Sequence, residues 1–123
     1  MPVFRAPDAQ TFETHGSRFT AYVAPSRGSR ELCSWRLDVP PGLIGAPHRP
    51  SREEVLLVLA GSLEVTLDGE RAQVCAGDVV LVPADAELQV DGGPAGAAAW
   101  VTTTPGLEAR LPDGSTIAPP WAS

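Results

Sequence analysis

Two side chains capable of proton transfer, His48 and Glu54, stand six positions apart. In extended backbone an even separation points both to the same side. If that side faces an apolar cavity, an imidazole and a carboxyl converge there. Burial then raises the carboxyl pKa, a nearby charge tunes the ring, and either group can exchange protons near neutral pH. Such a pair supports isomerisation, cyclisation, dehydration or decarboxylation without a metal. The same two residues also suit a plain hydrogen bond filling a core, and the sequence leaves both readings open.

Other chemistries find little footing. The 123 residues include nine Arg and no Lys, which removes Schiff-base chemistry, a P-loop and any Ser–Lys dyad. Only two histidines are present, so an all-His metal site would need a second chain. His15, beside Gly16 and ahead of a strand, reads as a surface or interface residue. No nucleophile elbow and no glycine-rich dinucleotide fingerprint appear. Cys33 and Cys75 lack an identifiable base nearby in sequence, form no C-x-x-C pair and sit in apolar stretches. They read as buried, reduced thiols of a cytoplasmic protein. The formal charge of −6 argues against a nucleic-acid partner. The longest unbroken apolar run, Val55 to Ala60, is far too short to span a membrane.

The elements that must hold these residues are short and β-like. Arg18 to Val23 alternates, setting Phe19, Ala21 and Val23 opposite Arg18, Thr20 and Tyr22. Glu31 to Val39 does likewise, with Cys33, Trp35, Leu37 and Val39 on one face. Parity alone does not say which of Arg18 and Phe19, or of Trp35 and Arg36, turns inward. Glu54 to Leu59 is a continuous apolar run after its first residue, which predicts a strand buried on both sides. Leu63 to Leu67, Asp78 to Val82 and Ala97 to Thr104 add further strands. Asp68-Gly69, Asp91-Gly92 and Asp113-Gly114 read as tight turns, and Pro40-Pro41-Gly42, Gly61-Ser62 and Pro83-Ala84-Asp85 as corners. Strands at this spacing without helical crossovers predict an antiparallel sandwich or barrel.

Residues 42–92 resemble the cupin superfamily. Its first motif is matched by Gly42-LIGAP-His48-Arg49-Pro50-SRE-Glu54-VLLVLA-Gly61, with Pro50 at the second histidine position. Its second motif is matched by Gly77-DVVLV-Pro83-Ala84-Asp85-AE-Leu88-QVD-Gly92. There Gly77 and Pro83 agree, while Asp85, Leu88 and Gly92 replace the family's Gly, His and Asn. The resemblance implies an all-β fold, a cupin-like jelly-roll β-barrel of two antiparallel sheets. It frames residues 1–123 as one cupin-like domain, with motif one at 42–61 and motif two at 77–92.

In typical cupins the two motif-one histidines, the glutamate and the motif-two histidine bind a divalent metal inside the barrel. Carried over position by position, His48 and Glu54 remain, whereas Pro50 and Leu88 cannot coordinate. Two donors are too few to hold a transition metal, unless His15, Glu53, Asp85 or Glu87 joins from off-pattern positions. The expectation is therefore no metal and no other cofactor. His48 and Glu54 are the candidate catalytic residues, and His48, Glu54, Pro50 and Leu88 the candidate ligand-binding set. The expected partner is a small organic molecule in the cavity, turned over by acid–base chemistry of isomerase, cyclase or decarboxylase type. A non-catalytic, ligand-binding or sensory cupin is the alternative, and a metal-dependent oxygenase or isomerase a third. A homodimer is expected, since small cupins of this kind pair through edge strands and exchanged terminal arms. Here those arms would be Phe4 to Phe12 and Leu111 to Trp121.

Overall fold

The computed structural model describes residues 2–123. Ten strands follow in chain order: β1 (Gln10–Thr14), β2 (Ser17–Val23), β3 (Cys33–Val39), β4 (Arg49–Pro50), β5 (Glu54–Leu67), β6 (Glu70–Cys75), β7 (Val79–Val82), β8 (Leu88–Thr103), β9 (Ala109–Arg110) and β10 (Thr116–Ile117). All pairings between them are antiparallel. The large sheet runs β1-β2-β3-β8-β5-β6, with β7 also on β5, and the small one runs β10-β9-β4. This is the all-β, two-sheet jelly roll that the strand pattern predicts. Among the described residues, no helix is long and apolar enough to cross a membrane.

The inward faces follow the period of two. Cys33, Trp35, Leu37 and Val39 of β3 are all buried, with Leu56, Val58, Leu63 and Val65 of β5 in the same core. Arg18 and Arg36 point outward, where they meet Glu13 and Asp38. The inside–outside choice that parity left open thus falls as burial energetics require, with rings inside and guanidinium groups in water.

Several expectations change. The run after Glu54 is not buried on both sides. Glu54, Leu56 and Val58 face in, while Val55 and Leu59 are 39% and 45% exposed. Among the described residues none covers Val55 and Leu59 on that outer face. Gly61-Ser62 is a corner inside one long strand, not a break between two. Its register against β8 shifts at Val58/Ala60 and Gly61/Leu63, and Gly61 takes a left-handed φ of 72°. Asp91-Gly92 is no turn: both lie within β8, paired with Glu64 and Leu63. Cys75 is exposed because β6 is an edge strand, whereas Cys33 is fully buried with its Sγ 3.4 Å from the Ala122 carbonyl.

The C-terminal arm folds back on its own barrel. After β10 the chain forms a single 3-10 turn, Pro120–Ala122, whose Trp121 is buried. The Trp121 ring stacks on Phe19 at 3.8 Å between centroids and tilts against Phe12 at 6.3 Å.

Candidate functional site

Between the two sheets lies an interior cavity of about 120 Å³, well beyond the ~10–15 Å³ that one water needs. The large sheet contributes Phe19, Trp35, Leu37, Leu56 and Val101 to its wall. His48, Pro50 and Ala109 line the small-sheet side, and Leu88 and Val90 the start of β8. The four residues singled out in the motifs, His48, Pro50, Glu54 and Leu88, all reach this one cavity.

They do so by a different route from simple parity. His48 and Glu54 do not share a strand. His48 exchanges two backbone hydrogen bonds with Leu88, its N–H donating at 3.0 Å and its carbonyl accepting at 2.8 Å. The chain then pairs with β9 at Arg49–Pro50, bends at Ser51 and enters the large sheet at Glu54. His48 is set by its bridge to Leu88 just ahead of β4, and Glu54 by its place at the start of β5. Arg49, one step out of phase, points away and meets Asp68 and Glu87. Its Nη1 also donates to the Asp85 carbonyl at 2.9 Å, joining β4 to the loop before Leu88.

The His48 ring is oriented from its Nδ1 side, 3.0 Å from the Ala46 carbonyl oxygen. A carbonyl can only accept, so Nδ1 carries the hydrogen and the neutral ring keeps its lone pair on Nε2. Glu54 is only 7% exposed, and burial pushes its carboxyl up to about 7. None of the nine arginines lines the cavity to counter that effect.

Three features were not legible beforehand. His15, read as a surface residue, is exposed yet also lines the cavity, at its mouth beside Thr14. It occupies the β1–β2 turn with φ 51°, followed by Gly16 at 83°. That His-Gly turn was the only available signal. Asp91 is buried inside β8, and its Oδ1 accepts from the Gly45 N–H at 2.8 Å and from Gln89 Nε2 at 3.1 Å. Through Gly45 it anchors the loop leading to His48, and a Cβ at Gly45 would run into the Val90 carbonyl oxygen. Trp121 closes one side of the cavity against Phe19, while Trp100 lies on the outer face against Tyr22.

The residues do not fit the divalent metal that the motif pattern implies. Pro50 and Leu88 offer no donor, leaving His48 and Glu54. Among the described residues no group of three or more His, Cys, Asp or Glu is placed to share an ion. His15, Glu53, Asp85 and Glu87 do not complete such a set.

A jelly-roll barrel with a sparsely polar interior cavity defines the class. The chain belongs to the cupin family: the model of the cupin domain matches residues 35–101, more than half of it. Among solved structures it is similar to the polyketide cyclase RemF from Streptomyces resistomycificus. That match has 19% identity and a TM-score of 0.73, covering 85% of this chain and 79% of that one. A nucleoside dehydratase from Streptomyces is similar at 17% identity and a TM-score of 0.73, with 85% and 82% covered. At these identities the likeness shows the fold. A 69-residue stretch is 36% identical to a protein of Myxococcus xanthus (strain DK1622) named Endoribonuclease YbeY. It covers 55% of this chain but only 24% of that protein, so the chain spans about a quarter of that relative's length.

Proposed function

We propose that this cupin acts on a small organic molecule within the barrel by metal-independent acid–base catalysis. The observation that carries the reading is Glu54, a buried carboxyl whose proton is held to about 7 in a cavity without a fixed cation. A group titrating there donates and accepts protons at working pH. His48 complements it, with Nε2 as the acceptor while Ala46 holds Nδ1–H. In a turnover of this type, Nε2 takes a proton from the substrate and the electron pair moves to a neighbouring acceptor or leaving group. Glu54 supplies the proton that group needs, and proton exchange with solvent resets the pair. Isomerisation, cyclisation, dehydration and decarboxylation all use such steps. Two fold relatives, a polyketide cyclase and a nucleoside dehydratase, act on small molecules, which is consistent with this reading. Ribonuclease activity is not carried over, because only a quarter of that relative is matched and the net charge is −6.

The reading takes residues 1–123 as one cupin-like unit, working in the cytoplasm as a homodimer. The apolar outer face bearing Val55, Val79 and Leu81, the latter two 59% and 54% exposed, suits a second copy.

Eliminative ring opening of 5-nitrobenzisoxazole tests the chemistry, since it needs only a desolvated base and a proton source. The wild-type protein should accelerate it above the buffer rate. His48→Ala and Glu54→Gln should each remove at least tenfold of that rate while thermal scans show the fold retained. No acceleration by folded wild-type protein, or full activity in both variants, refutes catalysis by this pair. Ligand-dependent thermal shifts without turnover would then define a binding module instead.

A further inference from the structure

The cavity wall is unusual for what it lacks. Its charged or chargeable side chains are Glu54, His48 and the mouth residue His15. All nine arginines lie elsewhere, and the chain has no lysine. A carboxylate or phosphate entering this space would exchange its hydration for aliphatic and aromatic carbon. It would find no guanidinium fork to receive it and would face the like-signed Glu54. An ammonium fares little better. It carries three donors, and Glu54 is the only carboxylate on the wall, so the ion would be desolvated with most of its hydrogen bonds unmade.

The shape of the wall is as informative as its charge. Three Phe and Trp side chains, Phe19, Trp35 and Trp121, line the cavity, and Phe19 and Trp121 stack with planes 14° apart. Flat π-faces of this kind favour a ring laid or tilted against them. The polar groups are instead few and localised: the His48 edge beside Pro50 and Leu88, the Glu54 carboxyl at the start of β5, and Thr14, His15 and Ser17 from the β1–β2 hairpin. A molecule with one apolar ring face and a hydroxyl or carbonyl edge would match both parts.

We infer that the cavity selects an uncharged, ring-bearing molecule, placing its flat apolar face on Phe19, Trp35 and Trp121 and its hydroxyl or carbonyl edge toward His48 and Glu54. The inference rests on the reading that the cavity takes a small molecule, and it names the class. Carboxylated and phosphorylated metabolites are excluded by the wall's charge, which removes decarboxylation from the reactions named above, and flexible aliphatic amines by their unmade hydrogen bonds and the wall's shape.

Calorimetric titration of the full chain at pH 7.5 with three probes of one ring system tests this: 2-naphthol (neutral), 2-naphthoate (anionic) and 2-naphthylmethylamine (cationic). The neutral probe should bind at least tenfold more tightly than either charged one. Trp35→Ala should weaken it at least fivefold, and the milder Phe19→Leu measurably, which keeps the test alive if the tryptophan variant fails to fold. A preference below tenfold, or a reversed one, overturns the substrate class. If that binding still falls in the Phe19 or Trp35 variant, the cavity reading survives. Binding unchanged by either folded variant, or absent for all three probes, overturns both.

Discussion

Replacing Glu54 by glutamine removes one ionisation while leaving the side chain's size nearly unchanged, and its effect on stability follows from burial. In the folded protein the carboxyl is raised from its ordinary 4.5 to about 7 by desolvation. The native state therefore binds this proton more tightly than the unfolded chain does. At roughly 1.4 kcal/mol per pH unit, the difference amounts to about 3 kcal/mol. Below pH ~4.5 the group is protonated in both states and its favourable contribution is fully present. As pH rises through the window toward 7 that contribution is lost, because the folded protein must either hold the proton against its concentration or bury a charge.

Glutamine does not titrate, so Glu54→Gln should gain on wild type as pH rises. Urea unfolding at pH 4.5, 6 and 8 reads the effect directly. The stability difference, variant minus wild type, should grow by about 3 kcal/mol between the first and last pH, with unchanged m-values. In melting temperature this is on the order of 10 °C for a chain of this size. Taking the difference cancels the titration of every other carboxylate and any pH-independent effect of the amide. Parallel curves across the window, or a gap that widens on acidification, would show that burial does not hold the proton of Glu54. The variant should also lose turnover, so that gained stability and lost activity come from one atom substitution.

Two further outcomes follow from the site. Asp91→Ala deletes the acceptor for the Gly45 N–H and should cost about 1–3 kcal/mol in denaturant unfolding. Asn at this position, which keeps a carbonyl oxygen, should recover much of that loss. Stoichiometric Zn²⁺, Ni²⁺ or Mn²⁺ added to the purified chain should shift its melting temperature by no more than about 1 °C, because His48 and Glu54 alone hold an ion poorly. A rise of several degrees with one metal per chain in elemental analysis would refute the donor argument.

What could be read from the chain divides along a physical line. Period-two faces were legible because alternation is a local property of strand geometry: Trp35, Leu37 and Val39 had to share a side, and do. His48 and Glu54 were legible as cavity residues through the motif spacing, although parity was the wrong mechanism, because the chain between them leaves extended pairing at Ser51 and the two share no strand. Facts that depend on what lies across from a residue were not legible. Val55 and Leu59 look like core in sequence, but whether another layer covers their face is decided by topology. Asp91-Gly92 has the composition of a turn, yet it continues a ladder because Glu64 and Leu63 stand opposite. His15 reaches the cavity mouth only because a two-residue turn swings it there, with φ values that a sequence does not display.

The two departures from the family motif have a joint consequence. Pro50 and Leu88, each nearly or fully buried, put carbon where nitrogen donors would otherwise face the cavity. Carbon there denies a cation its ligands, and a resident cation would have held the neighbouring carboxylate ionised. With apolar groups in those places, the dominant influence left on Glu54 is loss of water, and that drives its proton affinity upward. Too few metal donors and a carboxyl that titrates near neutrality thus both follow from the cavity's low polarity. On the proposed reading His48 and Glu54 are more than the remainder of a chelating site. Burial in this apolar setting keeps the glutamate's proton affinity raised to about 7.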